Sequence, residues 1–368
     1  MNRSYRPAKA RINLGAIQHN FRLAKTRSGK ANVLAVIKAD AYGHNVEEIA
    51  KTLQQEADEF GVASLDDAIR LRDLGIQQPI VCLSGFYSQD EIATFIQLDA
   101  TAVIYDQSQL DSLRTYSNNS DDALKVWLKI DTGMGRLGFQ SSDVEMLVAQ
   151  LQQAEGVELL GVLTHFANSD DPLDDKTQQQ LDTFGQVATK LALIYPELKF
   201  STSNSAAILS RSDCMFDLIR PGIMLYGASP IVNKSANELN LHPAMTFESE
   251  LISVREIQEG SCVGYGGTWT APKNMRVGVV AVGYGDGYPR HAPSGTPVLA
   301  NGHKTQLIGR VSMDLISIDL SQVDAKVGDT VTLWGDGLPV EDIAEYVGTI
   351  SYELLCGVKS RVKKIFAE

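Results

Sequence analysis

The chain has 368 residues, 44% of them hydrophobic and 21% charged, which suffices for two domains with sizeable cores. Its formal net charge of −12 argues against nucleic-acid partners and against attraction to an anionic membrane. No apolar run approaches membrane-spanning length, the basic start Met1-Asn-Arg-Ser-Tyr-Arg6 leads into no apolar signal segment, and the four cysteines lie far apart. A cytoplasmic protein with buried free thiols at Cys82, Cys214, Cys262 and Cys356 is expected, rather than disulfides or zinc ligands.

In chain order, Arg11–Leu14 reads as a short strand, and Leu14, Ile17, Phe21 and Ala24 then share one helical face. A rhythm follows. Strand candidates fall at Val33–Asp40, Phe60–Ser64, Pro79–Ser84, Ala100–Asp106, Lys125–Asp131, Glu158–Ala167, Phe200–Ser205 and Asp217–Gly227. Helical patterns separate them: Ser88-Gln-Asp-Glu91 is a capping box, Ser141-Ser-Asp-Val144 opens an amphipathic helix, and Asp174–Tyr195 suits a long one. Eight strands alternating with helices suit a TIM-like (β/α)8 barrel; periodicity leaves an open doubly wound sheet as the alternative. After the polar link Ile231–Asn240 the pattern changes to short β-rich runs at Phe247–Glu256, Arg276–Gly283, Thr305–Val311, Leu315–Asp319 and Thr330–Trp334, with one short helix near Val340–Val347. The expected organisation is an α/β barrel over residues 1–235 followed by an all-β, barrel-like domain over 236–368, with residues 1–14 a candidate to lend it a strand.

The chain is organised around Val33–His44. Five apolar residues, Val33–Ile37, lead straight to Lys38, with Asp40, Tyr42 and His44 behind it, and Asn45 caps a helix carrying Val46, Ile49, Ala50 and Leu53 on one face. A lysine leaving an apolar strand needs a partner or a chemical use. It is either an ordinary salt-bridged side chain or a Schiff-base lysine. Lys38, Lys129, His165, Ser205 and Arg220 each fall at or near the C-terminal end of a strand candidate, the face on which barrels carry active sites.

The string Ile37-Lys-Ala-Asp-Ala-Tyr-Gly-His44 resembles the pyridoxal-phosphate lysine motif of bacterial alanine racemases, with Asn45 where that family usually has glycine. Asp131-Thr-Gly-Met-Gly-Arg-Leu-Gly138, Ser203-Asn-Ser205, Arg220-Pro-Gly-Ile-Met-Leu-Tyr-Gly227, Val263-Gly-Tyr-Gly-Gly267, Gly283-Tyr-Gly-Asp-Gly-Tyr-Pro-Arg290, Arg310-Val-Ser-Met-Asp314 and Ser351-Tyr-Glu-Leu-Leu-Cys356 are similar to further segments of the family, in order, across nearly the whole chain. The resemblance implies pyridoxal 5′-phosphate on Lys38. Ser205, the N–H groups of Gly222 and Ile223, and Tyr352 would hold its phosphate, Arg220 would face the ring nitrogen, and Tyr42, His165 and Asn204 would stand nearby. It implies Lys38 and Tyr265 as two bases on opposite faces of Cα, one not sufficing for both sides of a planar centre. Arg136 would sit on the substrate-carboxylate side, steadied by a carbamylated Lys129. Met313 and Asp314 would lie near the carboxylate, and Tyr284 at the pocket entrance. It further implies a head-to-tail homodimer in which Tyr265 and Met313 of one chain complete the site around Lys38 of the other. The function so implied is interconversion of L- and D-alanine for peptidoglycan, with no metal. A broad-specificity racemase, a decarboxylase of the same fold and a non-catalytic cofactor carrier are the other readings. The decarboxylase would want an acid where Arg220 stands, and the carrier would lack the second domain.

Overall fold

A computed structural model describes residues 5–116 and 122–367. Eight parallel strands, Asn32–Val36, Glu59–Val62, Ile80–Cys82, Ala100–Ile104, Leu124–Asp131, Val157–Leu163, Lys199–Ser201 and Leu218–Ile219, follow one another round a barrel, the last pairing back onto the first. The seam between the seventh and eighth strands is closed by loop bonds: Asp217 N–H donates to Phe200 O (3.0 Å) and Arg220 N–H to Ser203 O (2.9 Å). Strands such as Ala100–Ile104 are buried at every position, as expected of a parallel strand covered on both faces. Two expected caps are present: Asn45 accepts from Glu48 N–H, and the Ser88–Glu91 box is formed in both directions; Asn13, read as a strand residue, also accepts from Ala16 N–H.

The second body is a ring of six antiparallel strands, Met245–Ile257, Met275–Val280, Ile316–Asp319, His303–Ile308, Pro297–Ala300 and Thr330–Trp334. Met245–Ile257 closes the ring because its 13 residues pair with Thr330–Trp334 along one half and with Met275–Val280 along the other, with a bulge between Leu251 and Ser253. Lys9–Asn13 pairs antiparallel with Met245–Ile257, and Lys363–Ala367 pairs parallel with Lys9–Asn13. Among the described residues no helix is long and apolar enough to cross a membrane.

Three expectations need correction. The strands starting at Val33, Glu158, Phe200 and Asp217 stop earlier than the apolar pattern does, at Val36, Leu163, Ser201 and Ile219, because the residues beyond them turn into the barrel mouth. The pattern in 245–368 also missed strands Pro297–Ala300 and Lys363–Ala367 and helix Ser351–Gly357, all short and held by tertiary pairing. Only Cys82 and Cys214 are buried; Cys262 and Cys356 are exposed.

Candidate active site

The chain leaves the first barrel strand through Lys38 and enters a left-handed turn. Ala39, Asp40, Ala41 and Tyr42 have φ of 54°, 55°, 54° and 52°. For residues with a Cβ this costs about 1–2 kcal/mol each, so the turn persists only where its surroundings hold it. Ala41 N–H donates to Ile37 O (2.9 Å), Gly43 N–H to Ala39 O (3.1 Å) and Asn45 N–H to Asp40 O (2.9 Å). His44 is fully buried, and its Nδ1 donates to Tyr42 O (2.9 Å) and Ala41 O (3.1 Å). Burial brings the His44 pKa down to about 4, so the ring is neutral. Gly43 could not be replaced: a Cβ there would lie 2.2 Å from Leu355 O.

Lys38 opens into a cavity of about 560 Å³ at the C-terminal mouth of the barrel. Lys129, Arg136, His165 and Arg220 line the same cavity, and no Asp or Glu does. Among the described residues, none of Lys38, Lys129, Arg136 and Arg220 is in a salt bridge. Arg220 is 6% exposed, its guanidinium donating to Thr164 O (2.6 Å), Thr202 O (3.1 Å) and Ser201 Oγ. Burial lowers its pKa to about 10, which leaves it cationic at neutral pH. Burial and then the charges of Arg136, Arg220 and Lys38 bring Lys129 down to about 8. Desolvation and Arg136 lower Lys38, and desolvation and Arg220 push His165 well below its ordinary value. Two buried cations, Lys129 and Arg220, with partly buried Lys38 and exposed Arg136 beside them and no carboxylate in the lining, are complementary to an anionic ligand.

Arg136 is presented by a loop folded around Asp131. That carboxylate accepts from the N–H groups of Gly133 (2.8 Å), Met134 (2.8 Å) and Gly135 (2.9 Å). The opposite wall is a close-fitting cradle. Ser205 Oγ accepts from Gly222 N–H (2.8 Å) and Met224 N–H (3.3 Å), which leaves its own proton free to donate. A Cβ on Gly222 would stand 2.6 Å from the Tyr42 hydroxyl. Tyr42 stacks on Tyr226 with centroids 4.6 Å apart and tilts against Tyr352 at 6.0 Å. Burial raises both phenols, Tyr352 to about 12, so both are protonated donors. Asn204 and Ile223 complete the wall, with Asn204 Oδ1 accepting from Ala207 N–H (3.1 Å) and Ser169 Oγ (2.9 Å).

Thus Lys38, Tyr42, Lys129, Arg136, His165, Asn204, Ser205, Arg220, Gly222, Ile223 and Tyr352 are brought together. Tyr265, Tyr284, Met313 and Asp314 are not among the residues lining that cavity. They belong to the second body, where Tyr265 is 69%, Met313 53% and Tyr284 37% exposed. The Tyr265 turn abuts the Arg310 loop, a Cβ on Gly266 falling 3.3 Å from the Arg310 guanidinium. Beneath, fully buried Asp286 binds Arg6 (2.7 Å) and Arg361 (2.8 Å), and Arg361 binds Asp314 (2.7 Å). Sequence reasoning missed Cys356 as a lining residue. It stands four residues after Tyr352 on the helix Ser351–Gly357, one turn along the same face, and that spacing was the available signal. It also gave no sign that Thr164, Ser201 and Thr202 hold Arg220.

The family model for the alanine racemase N-terminal domain matches residues 12–230, and that for the C-terminal domain matches residues 244–366. An alanine racemase of Nitrosomonas eutropha is 43% identical over 363 residues, covering 98% of this chain and 99% of its own. One from Coxiella burnetii is 44% identical, covering 98% and 99%. Among solved structures, the biosynthetic alanine racemase from Pseudomonas aeruginosa superposes with a TM-score of 0.93 at 42% identity, covering 99% of this chain and 100% of that one. That of Streptomyces lavendulae gives 0.93 at 31% identity, covering 100% and 98%. A parallel barrel with a cationic mouth, a β-ring sewn to it by the first strand, and likeness over the full length of both lead to one conclusion: the chain belongs to the alanine racemase family and is a racemase.

Proposed function

We propose that the protein interconverts L- and D-alanine with pyridoxal 5′-phosphate seated in the barrel mouth, as a cytoplasmic source of D-alanine for peptidoglycan. The carrying observation is the cationic set around Lys38, with Lys129 and Arg220 buried, facing a cradle of Ser205, Gly222, Tyr42 and Tyr352 with no carboxylate in the lining. The donor set fits the cofactor. Ser205 Oγ–H, the Tyr352 hydroxyl and the backbone N–H of Ile223 suit a phosphate, and the absence of a side chain on Gly222 lets the backbone approach it. When bound, the cofactor supplies an electron sink that acidifies the substrate's Cα–H.

Lys38 would be the amine that holds the cofactor's carbonyl carbon, and its Nζ would take or return the proton on one face of Cα. Burial, and then the Arg136 charge, lower its pKa, which favours the neutral amine relative to an exposed lysine. Arg220, a donor only and cationic, would hold the ring nitrogen unprotonated, which would keep the sink weak and favour proton return over side reactions. An acid at that position would suit a decarboxylase, and none lines the cavity. Arg136 binds the substrate carboxylate. Lys129, with a pKa near 8, has a neutral fraction able to add carbon dioxide, releasing one proton and leaving a carbamate anion to pair with Arg136.

Tyr265 Oη serves the other face of Cα, from a second copy of the chain. Support comes from its exposure on a face shared with Met313, Asp314 and Tyr284. The reading is therefore a homodimer in which each β-ring roofs the partner's cavity, with Met313 and Asp314 beside the carboxylate and Tyr284 at the entrance. A domain division at 235/236 belongs to this reading; it falls in the gap between the two matched family models.

The test is circular dichroism of L-alanine incubated with the purified protein and pyridoxal phosphate. The signal is expected to decay to zero while alanine stays chemically intact. A steady signal overturns the assignment to alanine, and a panel of other amino acids then identifies the substrate.

A further inference from the structure

We propose that Lys364, on the last strand of the chain, is a positioning residue for Lys38: paired with Asp40, it latches the left-handed turn on which Lys38 stands. The inference rests on the reading of Lys38 given above and extends it to a residue 324 positions away from Asp40.

Asp40 lies in the middle of the left-handed run and its two oxygens are divided between different bodies. Oδ1 accepts from Val46 N–H at 3.0 Å, at the start of the next helix, and lies 3.5 Å from Arg70. Oδ2 receives Lys364 Nζ at 2.7 Å. The Lys364 side chain is only 16% exposed, and this is its one hydrogen bond among the described residues. Lys364 sits on Lys363–Ala367, opposite Ala10 in the parallel pair with Lys9–Asn13. The cation is therefore carried on a strand anchored in the β-ring, not on a free tail. A second contact from the same part of the chain presses on the turn: the Leu355 carbonyl meets Gly43 so closely that no Cβ fits between them.

The physical need for a latch comes from the backbone. Four consecutive non-glycine residues at φ near +54° revert to a right-handed or extended path unless their surroundings over-determine them. The turn's own backbone bonds and His44 supply part of that constraint from within the barrel. Lys364 supplies the part that depends on the second body. Lys38 is the residue by which the chain enters the turn, so relaxation at Ala39–Ala41 swings its side chain out of the cavity while the barrel strands stay paired. An ordinary tether between two bodies would affect stability alone. A latch affects the aim of Lys38.

Full-length wild type, Lys364→Met, Lys364→Arg, Asp40→Asn and the Asp40→Asn/Lys364→Met double variant are compared, saturated with pyridoxal phosphate. Asp40→Asn keeps an oxygen for Val46 N–H and loses the charge, which separates helix capping from the latch. Lys364→Met and Asp40→Asn are each expected to lower kcat about 10-fold with KM for L-alanine within about twofold, and the double variant to fall no further than either alone. Lys364→Arg is expected to recover most of the loss. In protein stripped of cofactor, acylation of Lys38 by acetic anhydride is followed against pH by mass spectrometry. Its midpoint is expected to move up in Lys364→Met, because Lys38 leaves its desolvated site. Wild-type kcat with an unmoved acylation midpoint overturns the proposal, as do additive losses in the double variant or a lower melting temperature as the sole change. Should Lys364→Met fail to fold, Asp40→Asn carries the same outcomes. Borohydride reduction of the wild-type holoenzyme, followed by peptide mapping, tests the underlying reading separately. A label on another lysine defeats the role given to Lys38, while the acylation midpoint still reports whether Lys364 aims it.

Discussion

The barrel mouth and the exposed face of the β-ring carry the two halves of the proposed chemistry in opposite states. In the mouth every group is pre-placed: Arg220 is buried on two carbonyls and a hydroxyl, Ser205 is fixed by two N–H groups, and Lys38 stands on a held left-handed turn. On the β-ring, Tyr265 and Met313 stand mostly in solvent, although the loops beneath them are tied by a fully buried carboxylate between two arginines. Order and burial are therefore separate properties of the two regions. The mouth spends strain and desolvation to make an anion site, whereas the β-ring fixes only the backbone and leaves its side chains for another surface.

Removing Lys38 is the largest break. Lys38→Ala is expected to abolish racemisation, by about 10³-fold or more in kcat, with loss of the cofactor's lysine-linked absorbance; retained turnover would sink the mechanism. Next comes Tyr265→Ala, expected to cost about 10²-fold or more, with proton removal from L-alanine impaired more than from D-alanine. Mixing Lys38→Ala with Tyr265→Ala protein sharpens the comparison. If sites are shared between copies, some mixed dimers carry one intact site and activity partly returns. No recovery after subunit exchange, verified by mass, counts against sharing.

Asp286→Ala breaks the β-ring's support instead. It removes the buried partner of Arg6 and Arg361, which keep only Asp314, and leaves Gly283 N–H without its acceptor, so a loss of about 1–3 kcal/mol is expected in denaturant melts. His44 gives a pH-dependent effect of similar size. Its folded pKa of about 4 lies below the unfolded value, so between those values the unfolded chain binds more protons and stability falls as pH drops. On the order of 3 kcal/mol is lost across pH 6.5 to 4, and His44→Asn should flatten that part of the stability-against-pH curve. The smallest effect is expected for Asn45→Gly. Relief of a φ of 80° offsets a lost cap on Glu48 N–H, leaving the melting midpoint changed by less than about 1 kcal/mol equivalent.

Much of the molecule was legible because burial on both faces writes itself into composition. Residues 33–36 and Ile80–Cys82 announce themselves as uninterrupted apolar runs, and the alternation of such strands with amphipathic helices distinguishes a barrel from the ring that follows. Strand ends were not legible at the mouth. Ile37, Ile223 and Leu225 are as buried as any strand residue, so hydrophobicity continues where pairing has stopped. The left-handed turn was invisible for a related reason. Ala39 and Ala41 have no preference for positive φ, and the constraints that enforce it are the His44 and Lys364 hydrogen bonds and the close approach of the Leu355 carbonyl to Gly43.

Local sequence was enough for the order of most strands and helices, the caps at Asn45 and Ser88, and the coincidence of basic residues with strand ends, because these depend on neighbours within a few positions. Only the tertiary structure decided that Arg220 lacks a carboxylate, that Tyr265 and Met313 stand outside the mouth, and that the first and last strands lie side by side. Those outcomes depend on which surfaces meet across hundreds of residues. Desolvation, charge pairing and strand registry are properties of such meetings, and no local pattern encodes them.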